Sequence, residues 1–178
     1  ASFRLHGTEA GNGENLLGYY LGFGVHSIEK HGDEYRGLFP LWDWHKLPGG
    51  LIPAGTELPR DNYGWDTPGR TAFAGGLAVG NSGCFGYDYD VNGTTAKRSW
   101  FLSEAGIVQL VAGVEDEGNR LLVQTLDQCR ARGPVTLKTE KGLKQYPDSF
   151  NYASPLSGVS HDGVHYLFPE AREVTLSR

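Results

Sequence analysis

The apolar residues of this 178-residue chain fall in short runs punctuated by Gly, Pro, Asn and Asp, and long helical periodicity is almost absent. Short runs separated by turn residues predict β-strands. The clearest run is 84–91, where Phe85, Tyr87, Tyr89 and Val91 share one face and Asp88 and Asp90 take the other. Residues 97–102 follow and lead into a turn near Glu104-Ala105-Gly106. A second apolar run at 107–114 then predicts an antiparallel pair. Residues 72–79, 135–139 and 164–168 are further strand candidates. Residues 16–25 read as an apolar and aromatic strand broken by Gly18, Gly22 and Gly24. The best helical candidate is 119–129, although Leu121, Val123, Thr125 and Leu126 fit a strand nearly as well. Two stretches predict no strand. Residues 42–70, studded with proline and glycine from Pro48 to Gly69, read as a long loop, and 143–158 as a polar, exposed one. The sum is an all-β chain, a large antiparallel β-sandwich, without internal repeats or low-complexity segments.

Composition sharpens this picture. The 26 glycines, beside 9 Tyr, 8 Phe and 4 Trp, suit a turn-rich β-protein. Hydrophobic residues at 39% and charged residues at 21% are ordinary for a soluble globular chain, and 178 residues suffice for a single domain, 1–178, with its own core. A net charge of −5 argues against nucleic acid as a partner. It also means that any grip on an acidic polymer has to be arranged locally. No apolar run reaches the ~20 residues of a membrane-spanning helix. Met is absent, even at position 1, which predicts a chain processed or cut from a longer one, and no signal peptide is visible at Ala1. Cys84 and Cys129 would form one disulfide in an oxidising compartment or stay as two buried thiols. Asn92-Gly93-Thr94 is a glycosylation sequon that reads more readily as a plain turn.

Three segments carry candidate chemistry. In the first, Thr8 to Tyr20, carboxylates and amides (Glu9, Asn12, Glu14, Asn15) sit among glycines just before an apolar run. Glycines let a backbone approach a ligand closely, and Glu and Asn supply acceptors and an amide. A polar turn capping a sheet explains the same residues and is the commoner occurrence. In the second, Trp42 and Trp44 flank Asp43. Flat rings beside a carboxylate suit sugar stacking, but they suit a buried corner better, since Trp is highly buried on average. The third, Phe73-Ala74-Gly75-Gly76 with Ala96 to Phe101, reads as close-packed strand.

In order along the chain, residues 9–18, Gly32 to Tyr35, Pro40 to Gly49, Phe73 to Gly76, Ala96 to Phe101, Gly133 to Val135 and His161 to Glu170 resemble the motif series of the central domain of polysaccharide lyase family eight. The likeness is greatest to its chondroitin AC branch, among relatives that act on chondroitin, hyaluronan and xanthan. The resemblance runs through nearly the whole chain. It implies a supersandwich of the galactose-mutarotase-like type, of which 1–178 would be the first part, with exposed sheet edges needing a partner. It also implies a secreted or periplasmic protein that cleaves acidic, uronic-acid-containing polysaccharides by β-elimination. In the family the proton-transferring Tyr, its assisting His and Arg, and an Asn that neutralises the uronate carboxylate sit in an α/α toroid. That toroid is absent here, and no family motif puts Tyr19, Tyr20, His26 or His31 in their place. The resemblance gives Glu9 the role of supporting the catalytic His and Arg across the cleft, puts Asn12 at the same cleft, and makes Trp65 line it. The family branch also binds calcium near the Trp-x-Trp segment. Asp43 matches one ligand, but His45 replaces another and Pro53-Ala54 offers no carboxylate, so that site is expected to be lost or weak.

Three functional readings follow. The first is a lyase segment inactive on its own. The second is a stand-alone carbohydrate-binding or structural β-domain on the same scaffold. The third, the weakest, is a small hydrolase using Glu9 and Glu14 as its carboxylate pair.

Overall fold

The computed structural model describes residues 15–60 and 70–178. Among them the regular structure is β-strand, every strand pair is antiparallel, and two short 3₁₀ turns, Tyr19–Gly22 and Phe39–Leu41, complete it. The chain divides into two compact units, the first ending at Gln128 and the second running Cys129–Arg178.

In the first unit, β2 (Ala74–Val79), β3 (Ser82–Val91), β4 (Thr94–Ser103) and β5 (Gly106–Asp116) form a meander in chain order. Register decides which residues are buried. Phe85 pairs with Trp100, Tyr87 with Arg98, Tyr89 with Ala96 and Val91 with Thr94, so the alternating residues of both strands line one face. That face meets Tyr20, Trp44, Leu47 and the short pair β1 (Leu51–Pro53) and β6 (Leu122–Gln124) in a single apolar cluster. The Tyr87 and Trp100 rings stack at 6.0 Å, and the Tyr89 hydroxyl donates to the Leu51 carbonyl at 2.7 Å, tying the two sheets together. On the opposite face a row crosses all four strands: Leu77, Cys84, Phe101 and Val108, of which all but Cys84 are exposed.

The β3–β4 hairpin turns at Asn92-Gly93, where both residues have positive φ, 51° and 80°, the geometry that matches strand twist in a two-residue hairpin. The Asn92 amide donates to the Tyr20 hydroxyl and Thr94 is fully buried, so the sequon is a structural turn. Arg120 closes the same corner. Its guanidinium reaches both Asp116 oxygens and the Asn92 carbonyl, and these hydrogen bonds, led by that from Arg120, hold the Asp116 carboxyl well below the usual range.

The second unit is one sheet, in the order β10-β9-β7-β8, built from β7 (Val135–Thr139), β8 (Gly142–Tyr146), β9 (Asn151–His161) and β10 (Val164–Ser177). Val135, Leu137, Leu156 and Val159 form its core, with Tyr146, Phe150, Tyr166 and Phe168 packed around them. The β9–β10 register shifts between Leu167 and Arg172, across Pro169, a residue that has no N–H for the ladder. Arg178 folds back onto the Gly133 and Pro147 carbonyls.

Several expectations are corrected. Residues 16–25 form no strand; a 3₁₀ turn occupies Tyr19–Gly22, and Tyr20 is buried beneath the β3–β4 corner. Residues 119–129 are no helix and contribute only β6. The polar stretch 143–158 holds most of β8 and β9; β8 is exposed along most of its length, and a strand without a buried face shows little apolar alternation. The long loop 42–70 contains β1, whose three residues are buried. Of the two alternatives for Cys84 and Cys129, a disulfide or two thiols, the structure has the second, with both half-buried.

The loop 28–35 owes its shape to one carboxylate. Glu34 Oε1 accepts from the amides of Lys30 and His31, and Oε2 from those of Gly32 and Asp33, at 2.7–3.0 Å. The bond from His31 works against burial and is joined by those from Lys30 and Gly32, so the Glu34 carboxyl is held at about 2. Tyr35 extends the lock, its hydroxyl accepting from the Ile28 amide and donating to Asp127 at 2.9 Å.

Two measurements check this packing. Leu137→Ala, at a fully buried site, should lower stability in urea unfolding by about 2–5 kcal/mol, whereas Leu143→Ala, 75% exposed, should change it by less than about 0.5 kcal/mol. Glu34 has its folded-state pKa depressed, so the loop's contribution is complete above the ordinary carboxyl value of 4.5 and is lost as pH falls towards about 2. Protection of the amides of residues 30–33, taken relative to their intrinsic exchange rates, should therefore fall on acidification in that window, and Glu34→Gln should abolish that loss.

Candidate functional site

Of the residues singled out for function, Glu9, Asn12 and Trp65 lie outside the described residues, as does Glu14. Asp43 is described, and so is the ground from which the polar run 9–18 and the Trp-x-Trp loop extend.

The run's C-terminal end is fixed by the 3₁₀ turn. The Gly18 carbonyl accepts from Leu21, and Tyr20 is buried with its hydroxyl on Asn92. Burial pushes the Tyr20 hydroxyl's pKa up, so it remains a neutral structural group at ordinary pH. Three residues on, the Phe23 carbonyl accepts from Arg98 Nη1 at 3.1 Å.

The Trp-x-Trp loop is a buried corner. Trp44 is 9% exposed, and Trp42 is half-buried with its indole N–H donating to the Gln128 carbonyl at 3.2 Å. The rings of Tyr35, Phe39, Trp42 and Trp44 pack against one another, with Trp42 and Trp44 edge to face at 5.6 Å. The Gln128 side chain accepts from the Asp43 amide and donates to the Asp43 and Lys46 carbonyls, closing the loop from below. Asp43 itself points to cations of its own loop. One oxygen lies 2.8 Å from Lys46 Nζ, and the other accepts from the His45 amide at 3.1 Å. Burial raises the Asp43 pKa, but Lys46 and His45 outweigh it and leave the carboxyl below its usual range. His45 Nε2 lies 2.7 Å from the Thr56 carbonyl oxygen.

The two loops meet at a residue that sequence reasoning passed over. Arg98, on β4, is 2% exposed, and its guanidinium lies over the Tyr89 and Trp100 rings at 5.5 and 5.0 Å. Its hydrogen bonds go to the carbonyls of Phe23 and Gly49 and, at 3.4 Å, to Gln124 Oε1. Gly24 and Gly49 make room for this arrangement. A Cβ on Gly24 would lie 2.5 Å from Arg98 Nη1 and 2.8 Å from the Tyr87 hydroxyl, and one on Gly49 would collide with His26. Burial, with a smaller contribution from Arg98, keeps the His26 pKa low. The signal was present in the alternation, since Arg98 shares the parity of Ala96 and Trp100 on a strand whose inner face is buried.

The family described as polysaccharide lyase family 8, super-sandwich domain, matches residues 1–178. Chondroitinase-AC of Pedobacter heparinus is 35% identical over 179 residues, which cover 99% of this chain and 25% of that enzyme. A solved structure of chondroitinase AC lyase, described as revealing its active site through enzyme–oligosaccharide complexes and mutagenesis, superposes with a TM-score of 0.79 at 31% identity. It covers 90% of this chain and 24% of that one. The chain thus spans about a quarter of the length of the relatives it matches. The antiparallel all-β architecture, the superposition and the match along the whole sequence agree: this chain belongs to polysaccharide lyase family 8 and carries β-structure of its super-sandwich domain.

Proposed function

We propose that this chain forms the β-side wall of the substrate cleft in a lyase that cleaves uronic-acid-containing polysaccharides, such as chondroitin or hyaluronan, by β-elimination. The observation that carries the reading is 35% identity, sustained over 99% of the chain, to an enzyme named chondroitinase-AC. In this chemistry a base takes the C5 proton of the uronate, the C4–O bond breaks as the C4–C5 double bond forms, and the departing oxygen takes up a proton. The charge that builds on the uronate carboxylate has to be neutralised as C5 is deprotonated. The proton-transferring groups belong to an α/α toroid outside these 178 residues. Glu9 orients the toroid's His and Arg, because a carboxylate beside a guanidinium fixes both its position and its charge. Asn12 faces the same cleft, and Trp65 offers a flat ring to the sugar. A polymeric, charged substrate does not cross membranes, so the protein works outside the cytoplasm.

In this reading the calcium site of the family branch is lost or weak. The ion takes six to eight oxygen ligands. Asp43, the carboxylate that would start such a site, holds Lys46 Nζ at 2.8 Å, a partner that a metal ion would have to displace.

Three results are expected. The 178-residue chain alone should release no ultraviolet-absorbing unsaturated product from chondroitin, hyaluronan or xanthan, while the full-length gene product should; robust product from the chain alone would refute the division of labour. In the full-length protein, Glu9→Gln should lower kcat by about tenfold or more with a smaller change in KM, as loss of one charge-assisted hydrogen bond predicts. The melting temperature of the chain should be the same in calcium and in chelator, and a rise with calcium would restore the metal site.

A further inference from the structure

We infer that Arg98 is a positioning residue for the substrate cleft: its buried guanidinium sets the distance between the segment that leaves the Glu9–Asn12 run and the Trp-x-Trp loop. This rests on the reading that Glu9 and Asn12 line the cleft.

Arg98 touches no solvent-facing surface, so it cannot meet a sugar; it is 2% exposed and enclosed by Tyr89 and Trp100. Its hydrogen bonds select two backbone carbonyls 26 residues apart in sequence, Phe23 and Gly49. Phe23 follows the polar run by five residues from Gly18, with the 3₁₀ turn Tyr19–Gly22 between them. Gly49 closes the loop that carries Trp42, Asp43 and Trp44, and the Gly49 amide in turn donates to the Thr125 carbonyl at 2.9 Å. Gln124 Nε2 adds a second donor to the Gly49 carbonyl at 3.1 Å. A planar fork reaches two carbonyls in fixed relative positions, whereas a lysine ammonium at the end of a flexible stem does not.

The crowding at Gly24 and Gly49 supports the same role. Both have positive φ, 86° and 76°; a side chain at Gly24 would displace Arg98 itself, and one at Gly49 would strike His26 and the Gly24 carbonyl. The fold therefore gives up side chains at two positions to bring two loop backbones against one guanidinium. A core that needed only apolar filling at this point would have no use for that arrangement, since a buried charge contributes little to stability over a well-packed apolar side chain.

The test is Arg98→Lys in the full-length gene product, followed by hydrogen–deuterium exchange and by kinetics on chondroitin. Lysine keeps the charge and loses the fork. Loss of hydrogen bonds to a charged group should speed exchange in 19–26 and 44–50 by about tenfold while leaving 135–139 unchanged. It should also lower kcat by about tenfold with KM changed less than threefold, because the cleft wall is displaced rather than removed. Wild-type turnover by the variant, with or without faster exchange, overturns the positioning role alone. Absence of unsaturated product from the wild-type protein defeats the cleft reading itself. If Arg98→Lys does not fold, Gln124→Met takes its place. That variant should loosen 47–50 and spare 19–26, where Arg98 still holds Phe23; uniform loosening of both segments, or of neither, contradicts the inference.

Discussion

A guanidinium buried away from carboxylates must be answered by oxygen atoms of the backbone, and in this chain that requirement organises the larger unit. Arg98 stands on the inner face of β4, where the pairing of Tyr87 with Arg98 and Phe85 with Trp100 leaves it no path to water. Its charge is met by two loop carbonyls and one side-chain amide, and two rings flank it. The loops that reach in are therefore not free to drift over the sheet. Removing such a donor would strand acceptors in a desolvated place, a cost of the order of 1–3 kcal/mol for each. The meander supplies a rigid floor, and this charge fixes what lies on it.

The strands of that floor were legible in the sequence because burial is one-sided. Phe85, Tyr87, Tyr89 and Val91 alternate with smaller or charged residues, and the alternation places them together on the inner face. Reading short runs between turn residues located β4, β5 and β7. It failed where apolar content and strand geometry part company. Residues 16–25 are apolar, yet Gly18, Gly22 and Gly24 favour turning, and one tyrosine, Tyr20, is drawn under the sheet. Residues 143–158 are polar because β8 lies at an edge with most of its residues exposed, so pairing rather than burial makes it a strand. Backbone pairing leaves no mark on the residue types.

The candidate site was legible mainly through resemblance, and the structure explains why the residues alone were ambiguous. Most of the motifs that carried the likeness prove to be architectural. Glu34 folds its own loop, Tyr35 bolts that loop to Asp127, and Trp42 and Trp44 form a corner. Gly133 receives Arg178, and Pro169 sits where the β9–β10 ladder shifts register. A glutamate that binds four amides and a glutamate that orients a catalytic group look the same in a sequence. Arg98 was passed over for a related reason, since a charged residue in a strand suggests an outward face until the parity of its neighbours is counted.

On the proposed function these parts share one purpose, a β-wall of the substrate cleft to which the polar run 9–18 and residue 65 contribute. The most direct measurement is a crystal structure of the full-length protein with a bound chondroitin oligosaccharide. The expected result has the Glu9 and Asn12 side chains facing the sugar across a helical domain. Side chains turned into the sandwich, away from the oligosaccharide and from any facing domain, would contradict it.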